Sequence, residues 1–465
     1  MKRSIHLLLA ALILASAVAH AQLTTDTVVL TTSDSKSLGY VNNPKFTVDS
    51  NSVGRFSVRT HDTDSNYNNA LIQTSSPWSS ATVSFQTPVF LDASGSIDPD
   101  AAPQRVASIA LSSTSHTFMI WYGSDYADSS LNYSHQIHYA DYDTTSNSAP
   151  TISSEKVPIS ISGFTSFYGT TTPYNDDTDY WQEHPSTAID SAGTLYVVWE
   201  GRDAGHTSGG TDPTLKPGIA FMTRSSSGTW SSALGIGTLT APPYMDIAGI
   251  SDSQSRPLIL APSTTLQHVL CYGSVSGVQQ ILSLDINSGS SGTFSTLRPN
   301  SNDQRHISAT LDPSGNTHAV WREGPTGGPV AVFYSERLGS GSWSTPVQVS
   351  ATGSWASTPV VSADSSKVRI AFIQWTGGFK NSAGETNNGI TATSNGDDDT
   401  VEGDLMFTSK PNGSGSFSTP VQLGTGYASY PNFAVGATNA LIFQEWTTCG
   451  SNTFCSPQVH LGETN

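Results

Sequence analysis

Charge is scarce in this chain. Only 12% of its 465 residues are Asp, Glu, Lys or Arg, and they are lopsided, 20 basic against 37 acidic, for a formal net charge of −17. A chain this acidic does not hold nucleic acid or an anionic lipid surface through its overall field. Cysteine is rarer still, with three residues in all. Cys449 and Cys455 lie close together and suit the stapling of one hairpin loop in an oxidising compartment. Cys271, between Leu270 and Tyr272, reads as a buried strand thiol, because no partner spacing supports a metal or catalytic role. No His-Glu-x-x-His, no Gly-x-Ser-x-Gly and no phosphate-binding loop occurs, which argues against zinc proteases, α/β-hydrolases and NTPases. Beyond the first 21 residues no apolar run is long enough to cross a bilayer, so no membrane span is expected.

Those first residues have the layout of a secretory leader. Lys2 and Arg3 give a basic start, Ile5 to Val18 is largely apolar, and Ala19-His20-Ala21 supplies a small-residue cleavage site before Gln22. The expected organisation is a signal peptide over 1–21 and a single domain over 22–465, exported to the periplasm or the cell exterior. Cleavage removes two positive charges and makes the mature chain more acidic still.

What the chain has in quantity is a repeated β pattern. His184 to Trp199 runs through small and apolar residues to an Asp190-Ser191-Ala192-Gly193 turn, then through alternating Leu195, Val197 and Trp199. Copies of uneven quality follow from Asn43 to Arg59, Arg105 to Trp121, Asp246 to Ala261, His306 to Trp321, Thr358 to Trp375 and Tyr430 to Trp446. The turn is clear at Asp49 and at Asp312-Pro313-Ser314-Gly315, and degraded at Asp252-Ser253-Gln254-Ser255 and Asp364-Ser365-Ser366. Third strands such as Ile219 to Thr223 and Val330 to Ser335 follow. Fourth strands are expected to begin at Gly-x-aromatic-Ser runs, as in Gly228-Thr229-Trp230-Ser231 and Gly341-Ser342-Trp343-Ser344. Four antiparallel strands per repeat predict an all-β, seven-bladed β-propeller, with six or eight blades as the alternatives. The last copy is short of a strand, and Asp26 to Leu30 is placed to complete it, closing the ring and removing a sheet edge.

The Asp-turn-Gly, strand-Trp and Gly-x-Trp-Ser pattern resembles the sialidase-like β-propellers that carry BNR or Asp-box repeats. The repeats are degenerate: Ser225-Ser226-Ser227-Gly228-Thr229-Trp230 keeps the glycine and the aromatic of the family's Asp-box without its Asp. The resemblance implies a carbohydrate-active protein.

In such a ring the starts of the innermost strands and the ends of the second strands surround one mouth of the central channel. That mouth collects His184, His306, Glu183 and Asp246 as candidate catalytic groups. It also collects Arg105, Arg305, Arg322, Arg202, Tyr180, Trp181, Tyr244 and Tyr430 as candidate substrate contacts. A neutral His beside an Arg suits a lyase, the Arg neutralising a uronate. Two carboxylates, among them Glu183, Glu200, Asp203, Asp246 and Glu323, would suit a hydrolase. The Trp that ends each second strand reads as packing between blades, and Trp181 as the better platform for a sugar. Asp397, Asp399 and Glu402, in an acidic loop, are the candidate Ca²⁺ ligands; the loop reads first as a solvated turn, because it lacks the alternating ligand spacing of a calcium loop, and no cofactor is expected. The leading expectation is a secreted glycosidase or polysaccharide lyase with one central site and a carbohydrate substrate. The alternative is a non-catalytic glycan- or protein-binding propeller. A multivalent lectin would repeat its binding residues in each blade, whereas here they differ.

The leader reading predicts that intact-mass measurement of the exported protein gives a chain beginning at Gln22. A species retaining Met1 would overturn it.

Overall fold

The computed structural model describes residues 26–30, 46–49, 51–61, 67–75, 77–78, 84, 86, 89–90, 104–111, 116–124, 135–143, 155–156, 182–201, 218–231, 234–235, 252–292, 294–325, 329–375, 379–380, 386–387, 403–448 and 454–464. Among them the chain is all-β, with no helix and many small sheets. Four sheets stand separately, spanning 104–156, 182–235, 252–296 and 303–348. Each has three long antiparallel strands and one or two short ones, for example Gln182–Ile189, Leu195–Gly201, Gly218–Arg224 and Leu234–Gly235. The remaining long strands join in one 11-stranded sheet. In it Val421–Val435 ends one four-strand set and begins the next, pairing with Gly403–Pro411 on one stretch and Ala440–Thr448 on the other. Its far end pairs in parallel with Phe46–Val48.

Asp26–Leu30 pairs antiparallel with Phe454–Glu463, as the sequence indicated, so the two ends of the chain share a sheet. The turn aspartates at 49, 190, 312 and 364 also form as read. Each carboxylate accepts backbone N–H bonds from its own turn, such as Ala192 N and Thr194 N to Asp190 Oδ1 at 2.9 Å. A feature the sequence did not reveal is the partner five or six residues on. Arg55, Tyr196 and Arg369 bind the second oxygen of Asp49, Asp190 and Asp364, and His318 Nε2 lies 3.5 Å from that of Asp312.

Two readings need correction. Asp252-Ser253-Gln254-Ser255 is not a turn but lies within Asp252–Leu260, and the turn comes at 261–265. The serines and glutamine tolerate either conformation, and pairing with Leu266–Val275 decides for the strand. Ser295–Thr296, at the end of Gly292-Thr293-Phe294-Ser295, does open a short strand on Val278–Asn287, but the Gly-x-aromatic-Ser runs at 228–231 and 341–344 do not open the fourth strands. They close a turn in which Trp230 and Trp343 bridge back to Arg224 and Arg337, and the short fourth strands follow, as at Leu234–Gly235 and Val347–Gln348. Of the expected Cys449–Cys455 staple, Cys449 lies outside the described residues and Cys455 falls on Phe454–Glu463 with its side chain outside the description; Cys271 is a fully buried thiol.

Neighbouring sheets are held face to face by apolar clusters. Leu195, Val197 and Trp199 pack with Ile120, Tyr122 and Ile137 of the 104–156 sheet, while Tyr196 and Val198 of the same strand pack with Val269, Cys271 and Leu282 on the other side. Period-2 alternation with both faces covered explains why Leu195 to Trp199 is continuously hydrophobic. Comparable clusters join the 252–296 sheet to 303–348, that sheet to the strands of 355–411, and those to the strands of 428–448. Leu71 meets Ile109 and Trp121 between the first strands of the chain and the 104–156 sheet. Trp121, Trp199 and Trp321 are fully buried core, as read.

Ion pairs between third strands repeat the theme nearer the surface. Arg224 reaches Asp141 at 3.1 Å, Arg337 holds Asp285 with two bonds of 2.6 and 2.7 Å, and Lys410 reaches Glu336 at 2.9 Å. Burial alone would raise the Asp285 carboxyl, but hydrogen bonds from Arg337 and His268 overcome it and hold it far below the usual carboxylate range. The balance is the same at Glu336, where burial is outweighed by Tyr334 and Lys410. At Asp364 burial is outweighed by Ser366 and Arg369. Burial pushes the His318 imidazole down despite Asp312.

Every one of these groups takes up protons less readily folded than unfolded, so their contributions all fall as pH falls. The His318 contribution is intact above about pH 6.5, the ordinary histidine value, and erodes below it; the carboxylates' contributions erode below about pH 4. Urea unfolding should therefore show a midpoint that is flat above pH 7, declines toward pH 5 and drops steeply below 4. A midpoint unchanged between pH 7 and pH 4 would refute this.

Candidate functional site

The opening strands of successive four-strand sets carry the same irregularity from Gln104–Leu111 onward. Pairing is regular at Glu183↔Glu200, Arg305↔Arg322, Ser357↔Ile373 and Ser429↔Gln444, then slips and resumes at Ser186, Ser308, Val360 and Asn432. The 104–156 sheet slips likewise between Arg105 and Ser108. In four of these bulges a non-glycine residue takes the left-handed conformation: His184 (φ 49°), His306 (φ 54°), Thr358 (φ 45°) and Tyr430 (φ 50°). Pro185, Pro359 and Pro431 follow three of them. A proline cannot donate to the ladder, so a bulge, where a residue is unpaired in any case, is the place it fits.

These bulges line one cavity of about 130 Å³. His184, His306, Thr358 and Tyr430 all contribute, with Ser108 from the 104–156 sheet and Tyr272 from the 252–296 sheet. Bonds between sheets fix the lining. Ser108 Oγ lies 3.1 Å from Thr187 Oγ1, Ile259 N donates to Ser186 Oγ at 3.2 Å, and Ile307 N donates to Tyr272 Oη at 3.0 Å. The Tyr122 ring lies 5.4 Å from that of His184, tilted by 54°.

The sequence put these positions just ahead of the innermost strands; they lie inside them, at the bulges. His184, His306 and Tyr430 are brought together. Arg305 is directed into an ion pair with Asp303, at 2.8 Å, and Arg322 is buried with Nη1 3.5 Å from Ser357 Oγ; neither lines the cavity. Glu183 and Arg105 fall on described strands with side chains outside the description. Asp246, Arg202, Tyr180, Trp181, Tyr244 and the calcium candidates Asp397, Asp399 and Glu402 lie outside the described residues. Among the described residues no group of His, Cys, Asp and Glu is arranged to hold a metal.

The register also shows what the sequence missed. In the 252–296 sheet the bulge position belongs to Arg256, not Asp246, and Tyr272 and Cys271 stand where Glu200 and Trp199 stand elsewhere. The signal was present: Arg256-Pro257 matches His184-Pro185, Thr358-Pro359 and Tyr430-Pro431. Likewise Phe372 and Phe443, rather than Trp375 and Trp446, occupy the Trp199 register.

Glu323, a candidate catalytic carboxylate, is instead a fully buried knot. Asn300 Nδ2 donates to it at 2.7 Å and Trp321 Nε1 at 3.1 Å, with Asn302, Gln304 and Arg298 also bound. It ties the 298–304 segment to Thr317–Gly324.

No family model matches the chain, and no curated protein matches it by sequence. Solved structures do match. The crystal structure of polysaccharide lyase Uly1 is 8% identical, with a TM-score of 0.54 over 95% of this chain and 100% of that one. An ulvan lyase of polysaccharide lyase family PL25, bound to -[GlcA(1-4)Rha3S]-, is 11% identical, with a TM-score of 0.52 over 96% of each chain. The sialidase of Trypanosoma rangeli is 11% identical over 77% of this chain and 57% of that one, at a TM-score of 0.42. At such identities the likeness to the two lyases is one of fold.

Glu323→Ala would leave five donors facing an empty site and should cost about 3 kcal/mol of stability. Thermal and urea unfolding check this. Full stability with activity alone lost would return Glu323 to the catalytic candidates.

Proposed function

We propose that the protein is an exported carbohydrate-active enzyme, a seven-bladed β-propeller with one site at its hub, acting as a polysaccharide lyase. The closed ring is supported by the succession of contacts: each sheet packs on the next, and Phe46–Val48 pairs with Val421–Val435 where the last meets the first. The observation that carries the function is that His184 and His306, from equivalent bulges in different sheets, line one cavity.

Elimination suits two histidines. One imidazole removes the proton beside the uronate carboxyl, the electron pair forms the new double bond, and the glycosidic oxygen leaves with a proton supplied by the second group. Hydrolysis instead needs two carboxylates flanking the bond, and among the described residues lining this cavity there is none. The fold-level likeness to polysaccharide lyases agrees with this choice without establishing it.

The test is a panel of ulvan, alginate, polygalacturonate and sialyl glycosides, read both for ultraviolet-absorbing unsaturated product and for reducing ends. Unsaturated product is expected from a uronate polymer, with His184→Ala and His306→Ala each reduced by about 10²-fold or more. Reducing ends without absorbance would make the protein a hydrolase, binding without turnover would favour the non-catalytic reading, and full activity in both variants would move the site elsewhere.

A further inference from the structure

We infer that the protein has a second carbohydrate-binding site, between the 252–296 and 303–348 sheets and apart from the histidine-lined cavity, where Trp343 and Asp285 receive an uncharged sugar unit; the choice of a sugar rests on the carbohydrate-active reading above. The observation behind it is a missing ring. Tyr139, Phe221, Ser283 and Tyr334 hold one register position on their third strands, each opposite the residue just before Trp121, Trp199, Cys271 or Trp321. At three of these four positions an aromatic ring packs against an aromatic from the next set of strands. Tyr139 meets Trp230 at 5.1 Å and Tyr334 meets Phe417 at 4.9 Å, both edge-on, while Phe221 shares an apolar cluster with Phe294. At the fourth, Ser283 presents Trp343 with only a hydroxyl, which accepts from Trp343 Nε1 at 3.2 Å.

Where the ring is absent there is a pocket of about 580 Å³, lined by Ser283 and Trp343 together with Asp285, Asn287, Thr296 and Arg337. That size is within the roughly 300–1,000 Å³ of small-molecule sites. Trp343 is only partly buried, so it offers an aromatic surface to the C–H face of a sugar. The Asp285 side chain is 23% exposed and fixed in place, gripped by Arg337 through two bonds and by His268 Nδ1 at 2.7 Å. Its Oδ2 takes a bond from Arg337 alone among the described residues, which leaves acceptor capacity for a hydroxyl. Arg337 has little left to give: besides Asp285, its Nε and Nη2 donate to the carbonyls of Gly341 and Ser340. With that charge matched and those donors taken, the pocket has no free cation for a carboxylate or sulfate, and a neutral, hydroxyl-bearing ring suits it. Its lining shares no residue with the histidine-lined cavity, so this site holds a sugar without cleaving it.

The experiment measures calorimetric binding of xylohexaose, mannohexaose, galactohexaose and an oligogalacturonate to wild type, His184→Ala and Ser283→Tyr, with melting temperatures and cleavage of uronate polymers alongside. Ser283→Tyr restores the ring that the other sheets carry and fills the pocket. At least one neutral oligomer should bind wild type and His184→Ala alike, and its Kd for Ser283→Tyr should rise by about 10-fold or more, with cleavage unchanged. Should Ser283→Tyr not fold, hydrogen exchange of the wild type decides: the same oligomer should protect backbone amides in 283–287 and 338–344. Undiminished binding by Ser283→Tyr, a preference for oligogalacturonate at this pocket, no neutral oligomer bound, or no protection of those segments overturns this inference; cleavage of a uronate polymer in the same assays leaves the functional reading intact. A wild-type protein that neither binds nor cleaves any of these carbohydrates overturns both.

Discussion

The structure depends on sheets that have no solvent face of their own. A strand such as Leu195–Gly201 points Leu195, Val197 and Trp199 at one neighbour and Tyr196 and Val198 at the other. Neither set is stable in water, so no sheet is complete without the next. This is the logic of repeat proteins, where each unit buries its apolar surface only by stacking. Asp26–Leu30 pairs with Phe454–Glu463 at the border of the 11-stranded sheet, so strands from far apart in the sequence complete one set.

Packed sheets leave room for invention only where the ladder is interrupted. The bulges at 184, 306, 358 and 430 are those interruptions, and they occur at one level of successive first strands. Each sets a residue at the wall of the shared cavity. Other described polar groups serve the scaffold: Asp285 with Arg337 and Glu336 with Lys410 clamp third strands together. Glu323 fastens a connection. Pocket residues thus differ from one sheet to the next while turn aspartates recur, which fits a single site on a repeated frame.

The strand pattern was legible because burial on both faces writes continuous apolar runs, and because Asp190 and Asp312 cap their turns through bonds within a few residues. The copy at 252–260 was misread because its polar residues satisfy a turn as readily as a strand, and only pairing with Leu266–Val275 separates the two. Glu323 looked like a catalytic acid for a similar reason. Nothing local to Trp321-Arg322-Glu323 announces that Asn300, Asn302 and Arg298 converge on it from the preceding connection.

By itself, then, the sequence determined an all-β chain of repeated hairpins, the tight turns, the joining of the two ends and the equivalent places of His184, His306 and Tyr430 in their repeats. All of these follow from short-range periodicity and from residues whose own chemistry limits what they do. The tertiary structure alone decided that these three share a cavity with Thr358 and Tyr272, that Arg305 and Arg322 are drawn away from it, and that the bulge in the 252–296 sheet falls at Arg256. Those facts depend on strand register and on which sheet lies beside which, and register is set by pairing across the sheet rather than by neighbours along the chain.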